Sequence, residues 1–332
     1  MKQIPLSCLI AAVLTASASL PSSGAGAPPE SGRTVGERAP APPARLATKA
    51  LLLDATHAGD RIVAVGAHGI IIHSDDGGGA WKQASVPVQS LLTGVSFADD
   101  ARGWAVGHEG IVLRTEDAGA NWTLVTTPLH ADDSLLEVIA LGPLRALLAG
   151  AYGVFLKTDD DGTSWSHREP VVEDMHINRI SRGPSGTLLL AGEAGMLALS
   201  ENGGEDWRQL ESPYEGSFYG LHELASGRLL AHGLRGHVHV SDDRGASWSR
   251  SSVEREVLIM AAAEPRPGTV VAGGLGGVVF VSRDNADTFR AVELRQLKAC
   301  AELLPTASGA ILALGEGGVE LLDPGLAASS QP

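Results

Sequence analysis

The pair Gly-x-x-Gly occurs seven times in register, beginning at Gly66, Gly107, Gly150, Gly192, Gly233, Gly274 and Gly315, with spacings of 41, 43, 42, 41, 41 and 41 residues. One such pair carries no information. Seven of them mean a single supersecondary unit repeated seven times. A second element starts eight residues after each first glycine: SDDGGGAW (74–81), TEDAGANW (115–122), TDDDGTSW (158–165), SENGGEDW (200–207), SDDRGASW (241–248) and SRDNADTF (282–289). Its pattern is Ser/Thr-x-Asp-x-Gly-x-polar-Trp. Five of the six tryptophans stand at the last position, and Phe289 takes it in the sixth copy. The seventh unit reaches Asp323 and meets Pro324.

Each unit reads as four short strands, shown best by Leu92–Phe97, Gly103–Gly107, Ile111–Thr115 and Trp122–Thr126. The runs are apolar or β-branched and bounded by turn residues. A four-stranded unit of about 40 residues, repeated radially, is a propeller blade. The expected fold is all-β: a seven-bladed β-propeller with Asp-box (BNR-like) repeats. Gly-x-x-Gly forms the hairpin between strands two and three, with glycine serving positive φ. The Asp-box turns strand three into strand four, its Asp accepting backbone N–H groups. Asp76, Trp81, Asp117, Trp122, Asp160, Trp165, Trp207, Asp243, Trp248, Asp284 and Phe289 are assigned this structural role. The seventh unit supplies only Lys298–Leu304, Ala310–Leu314 and Val319–Leu322. A strand at Ala44–Thr48, paired with Val319–Leu322, is therefore expected to close the ring and remove its last free edge.

The domain plan follows: a signal peptide (1–27), a proline-rich linker (28–44), the propeller (45–323) and a C-terminal tail (324–332). Lys2 precedes an uncharged apolar run, Ile4 to Leu20, and small residues offer cleavage at 16–18 or 25–27. Export to a periplasm is expected, or to a thylakoid lumen in a photosynthetic source. Loss of Cys8 with the signal leaves Cys300 alone, with no intramolecular disulfide. The net charge of −14 argues against nucleic acid and anionic membranes as partners.

Repetition itself argues against catalysis at the boxes, since six near-copies cannot all be active sites. Of the catalytic alternatives, a glycosidase needs two groups at fixed separation. A sialidase needs a tyrosine nucleophile and an arginine triad. The chain has three tyrosines and no Phe/Tyr-Arg-Ile-Pro motif, so no catalytic residue is assigned and the chain is read as a non-enzyme. His232, His237 and His239 suit either a metal site or a plain polar strand face, and no metal or other cofactor is assigned. The seven Gly-x-x-Gly hairpins share one face with the inter-blade loops. That face carries varied polar and aromatic residues: His68, His108, Glu109, Tyr152, Glu193, Tyr214 and Arg235 at or near the hairpins, with His130, Asp132, Asp133, Glu173, Asp174, His176, Glu215 and Arg255 in the loops. The first seven are assigned to partner binding, because varied residues on a rigid scaffold give specificity.

The stretch GVSFADDARGWAVGHEGIVLRTEDAGANW (94–122) resembles the photosystem II stability/assembly factor family of Asp-box propellers, above all in Gly103-Trp104-Ala105-Val106-Gly107 followed by the box. The resemblance spans roughly residues 45–323. It implies a seven-bladed propeller, export, and a chaperone-like role on a membrane protein or protein complex. The sixth box departs from the pattern, with Ala286 in place of glycine. The chain is expected to act as a monomer. The alternatives are an accessory protein of a membrane exporter in a non-photosynthetic bacterium and a sialidase-like glycan-active propeller.

Overall fold

The computed structural model describes residues 39–169, 171, 174–323 and 325. Its strands form seven sheets in chain order. Blade one is Leu52–Ala58, Arg61–Gly66, Ile71–Ser74 and Lys82–Gln83, antiparallel throughout. Blades two to five repeat this plan over 92–124, 135–167, 177–209 and 218–250. Blade six (259–293) gains a fifth strand, Ser252–Val253, parallel to Thr288–Glu293. Blade seven has three: Ala299–Pro305, Ile311–Glu316 and Gly318–Leu322.

The two glycines of each hairpin do different work. The first is in extended backbone, with φ −177° at Gly66, so positive φ is not its reason. A Cβ there would stand 1.8 to 2.4 Å from the carbonyl oxygen of the residue before the blade's first strand or at its start, Leu51 for Gly66 and Leu258 for Gly274. The same holds in all seven blades. The first glycine is a close-approach residue; the second, such as Gly69 at φ 69°, is the left-handed one.

Every box makes the same turn. The Ser/Thr hydroxyl accepts the N–H four residues on, as in Gly78 to Ser74 (2.9 Å) and Gly119 to Thr115 (3.1 Å). The Asp accepts the N–H four residues on, as in Ala80 to Asp76 and Ser247 to Asp243, both 2.8 Å. Asn202 substitutes for Asp in the fourth box and accepts from Asp206 at 3.0 Å. The sixth box keeps both bonds with Ala286 at φ 72°, so the hydroxyl and carboxylate override the left-handed penalty of a Cβ. Each box aromatic packs on the preceding blade. Trp81 joins the blade seven–one core, Trp122 one–two, Trp165 two–three, Trp207 three–four, Trp248 four–five and Phe289 five–six. Trp122 and Phe289 are buried, while Trp81, Trp165, Trp207 and Trp248 are half-buried.

The expected N-terminal strand is not formed. Ala47–Lys49 is a 3-10 turn lying over Gly318, and residues 40–44 lie on blade one instead. Ala41 N–H bonds Val86 O (2.9 Å), Ala44 N–H bonds Gln83 Oε1 (2.8 Å), and Gln83 donates to Pro42 O (3.0 Å). Pro40, Pro42 and Pro43 have no N–H to donate, so this segment cannot run a strand ladder. The ring closes by side-chain packing. Ala47, Leu52, Ile62 and Ile72 meet Leu312 and Leu314 in one core. The described end of the expected linker thus packs on the propeller. The expected signal peptide lies outside the described residues. Among the described residues no helix is long and apolar enough to cross a membrane.

Candidate binding surfaces

The hairpin face is held by a repeated bond from the second glycine or its neighbour to the next inter-blade loop: Gly69 N–H to Ser90 O (2.9 Å), Gly110 to Asp133 (2.8 Å), Gly153 to Met175 (2.9 Å) and Gly195 to Gly216 (3.0 Å). The residue between the glycines that points outward is itself left-handed: His68 (φ 59°), Glu109 (61°), Tyr152 (53°), Ala194 (48°) and Arg235 (54°). These positions therefore vary at some strain, not freely. His68, Glu109, Tyr152 and Arg235 are exposed, and His108 and Glu193 are half-buried. Burial pushes the His108 imidazole pKa down.

Two clusters form on this face. In the first, Tyr152, 59% exposed, sets its ring edge on His176 at 4.7 Å, and Glu193 accepts the backbone N–H of His176 at 3.1 Å. His176 is buried, so it supports the tyrosine and is not itself a contact surface. Tyr219 belongs here too; burial and the nearby Glu193 push its hydroxyl up to about 12. In the second, Tyr214 stacks flat on His237 (3.7 Å, 12°) with its edge on Phe218, and His237 Nδ1 is 3.3 Å from His239 Nε2. His232 does not join them. It is buried against His222, with the two Nε2 atoms 3.0 Å apart. The three histidines weighed as ligands are thus split between two places. Glu173 lies outside the described residues. His68, His108 and Glu109 sit on blades one and two, apart from both clusters.

Sequence reasoning missed the channel. One position of each innermost strand, twelve or thirteen residues before the Gly-x-x-Gly, follows a register shift: Asp54, Gly94, Glu137, Arg179, Gly220, Ala261 and Glu302; the four charged ones meet in the channel. Arg179 reaches across to three carboxylates: Glu137 (Nε–Oε2 3.0 Å), Glu302 (Nη2–Oε2 2.6 Å) and Asp54 (Nη2–Oδ1 3.3 Å). Their remaining oxygens accept the backbone N–H groups of Val138, Leu303 and Val95. Burial raises all three acids against the pull of Arg179, Glu137 to about 8 and Glu302 to about 7. Burial pushes His222 well down, helped by His232 and Arg179, and His232 to about 4. Aligning the seven units would have exposed this ring, although not which of its members meet. A cavity of about 580 Å³ lies above it on the Asp-box face, bordered by Ser96, Ser181, Arg182, His222 and Glu264.

The model of the Photosynthesis system II assembly factor YCF48 family matches residues 42–319. The chain belongs to this family. Among solved structures it is similar to "YCF48 bound to D1 peptide", at TM-score 0.71 and 22% identity over 87% of this chain and 97% of that one. It is similar also to YCF48 from Cyanidioschyzon merolae, at TM-score 0.69 and 18% identity over 86% and 98%. The WD40 propeller domain of Doa1 follows at TM-score 0.64 and 12% identity over 81% and 90%. At these identities the structural likeness establishes the propeller. No curated protein matches in sequence.

Proposed function

We propose that this YCF48-family chain is an exported, non-enzymatic assembly factor that docks on a segment of a membrane protein through its hairpin face. The observation that carries this reading is the pair Tyr152 and Arg235. Both are exposed on tips whose backbone is fixed by two glycines. Tyrosine and arginine rank among the strongest interface residues, and a tip whose backbone is already fixed needs no backbone ordering on binding. Tyr214 adds a ring already stacked and oriented on His237. The family assignment supports an assembly role, and a YCF48 propeller solved with a D1 peptide supports a peptide segment as the ligand.

The test is capture of partners from solubilised membranes with a Tyr152→Ala, Arg235→Glu double variant. The variant is expected to keep its thermal midpoint and to lose at least about tenfold in captured partner. Retained binding, together with loss on a Ser181→Trp substitution at the cavity mouth, would place docking on the opposite face and overturn the reading. Export rests on the charged start and apolar run of residues 1–27. N-terminal sequencing of the protein from the periplasmic or lumenal fraction is expected to find a start between about residues 18 and 28. An intact Met1 in that fraction, or confinement to the cytoplasm, would refute it.

A further inference from the structure

Among the described residues six inter-blade interfaces contain a box aromatic, each from the later blade of the pair, and the blade six–seven interface contains none. The strand-three residues of blades one to five also carry a short fourth strand, seen in Ile72 with Gln83 and His73 with Lys82. Blade seven ends at its third strand, Gly318–Leu322, whose outer edge pairs with no described residue.

The consequence is measurable at Leu321. It pairs with Leu312, and its counterparts by the same pairing are His73, Arg114, Lys157, Leu199, Val240 and Val281. All six counterparts are buried or half-buried, whereas Leu321 is 52% exposed. Beside it is a cleft of about 400 Å³ walled by Val279, Val292 and Leu294 of blade six and its exit, and by Glu320, Leu321 and Leu322 of blade seven. The cleft is pre-formed. The Glu320 carboxylate accepts the N–H groups of Arg295 and Gln296, at 2.9 and 2.8 Å, and of Leu297 at 3.2 Å, which fixes the connection between the blades. The 3-10 turn Ala47–Lys49 covers only the start of the strand, at Gly318.

We propose that this edge is a second docking site, taking an extended segment of a partner protein that adds a fourth strand and sets a bulky aromatic side chain into the cleft. The occupant's chemistry is read from the chain's own repeat. At the other six interfaces a tryptophan or phenylalanine from the later blade packs between the blades. A free strand edge supplies main-chain donors and acceptors, and the adjoining pocket supplies selectivity. Residues 1–38 and 324–332 of this sequence include no Phe, Tyr or Trp, so they hold nothing to fill the cleft as the repeat does. The inference does not depend on the hairpin face being a docking surface.

The probe is a synthetic peptide of the chain's own fifth box and strand, Ser241–Val253, added at millimolar concentration to the full chain. Backbone amide exchange is read at 319–322. The peptide is expected to slow exchange there by about tenfold or more, and its Trp248→Ala form to bind at least about tenfold more weakly. Leu321→Lys in the protein is expected to abolish the protection. That position is exposed, so the thermal midpoint should stand; Leu321→Gln serves if it does not. Three results would overturn the proposal. The peptide leaves exchange at 319–322 unchanged. Its Trp248→Ala form protects equally well. Or these amides are already protected in the free chain and become labile when 324–332 or 28–38 is deleted, which would make the chain its own occupant.

Discussion

Replacing Arg179 with methionine is expected to lower the unfolding free energy by about 3 kcal/mol or more at pH 8. Among the described residues Arg179 is the one cation in contact with Asp54, Glu137 and Glu302, which are 2%, 3% and 7% exposed. The guanidinium side chain retains 27% exposure to the channel, so water screens part of the effect. Methionine keeps the volume and leaves three carboxyl groups facing each other. The loss should depend on pH. Glu137 near 8 and Glu302 near 7 lie above their ordinary value of 4.5, so the folded state binds more protons than the unfolded between these limits. Their contribution is fully present below about pH 4.5 and is lost as pH rises through about 7 to 8. Without Arg179 both groups rise further, and the alkaline loss deepens. His222 and His232, held down by burial, act oppositely: their contribution is present above about pH 6.5 and is lost as pH falls through the folded values. Urea unfolding of wild type, Arg179→Met and Glu137→Gln/Glu302→Gln from pH 5 to 9 checks this. The double Gln variant should flatten the alkaline limb. A pH-independent Arg179→Met effect would show that the hub acts through packing alone.

Trp122→Ala is expected to cost about 3–5 kcal/mol, and Trp165→Ala roughly half of that. The two positions are equivalent in the repeat but not in the packing. Trp122 is 4% exposed in the blade one–two core. Its indole N–H donates to Gly119 O at 3.0 Å, and its ring meets Phe97 edge-on at 6.1 Å. Trp165 is half-buried, and its indole nitrogen is sealed from solvent without a hydrogen-bond partner, although its ring meets Trp104 edge-on at 5.8 Å. Burying an indole removes roughly 200 Å² from water, an upper bound of about 5 kcal/mol at ~25 cal/mol/Å². The cavity left by Trp122 has rigid strands on both sides and little scope to collapse. Calorimetric midpoints of the two variants check the ranking, and equal midpoints would refute the packing difference.

The repeat was legible because its physics is local. A Ser/Thr and an Asp bond the N–H groups four residues ahead, so each box writes its own turn into a contiguous stretch of sequence. Six such stretches, together with seven Gly-x-x-Gly pairs at near-constant spacing, settle the blade count and most strand boundaries. Leu92–Phe97 and Gly103–Gly107 fall where the residue pattern puts them. The role of the first glycine was not legible in the same way. Its demand comes from a carbonyl oxygen some fifteen residues away, such as Leu51 O against Gly66, and no window of sequence contains that approach.

The same limit explains the closure and the channel. Pro40, Pro42 and Pro43 were visible as a break in hydrogen-bonding capacity, but whether residues 40–50 lie against blade one or blade seven depends on which surface they reach once the ring has formed. Asp54, Glu137, Arg179 and Glu302 are spread over 248 positions of the chain and look like unrelated polar residues in apolar strands. A propeller brings the same position of every blade to one axis, so their meeting is a property of the closed ring. The sequence by itself determined the unit, its number and the turns that shape it, because those rest on bonds between near neighbours. Only the tertiary structure decided which charges share the channel, which aromatics are sealed and which strand edge pairs with no described residue, because each of these depends on surfaces that exist only after the blades have packed.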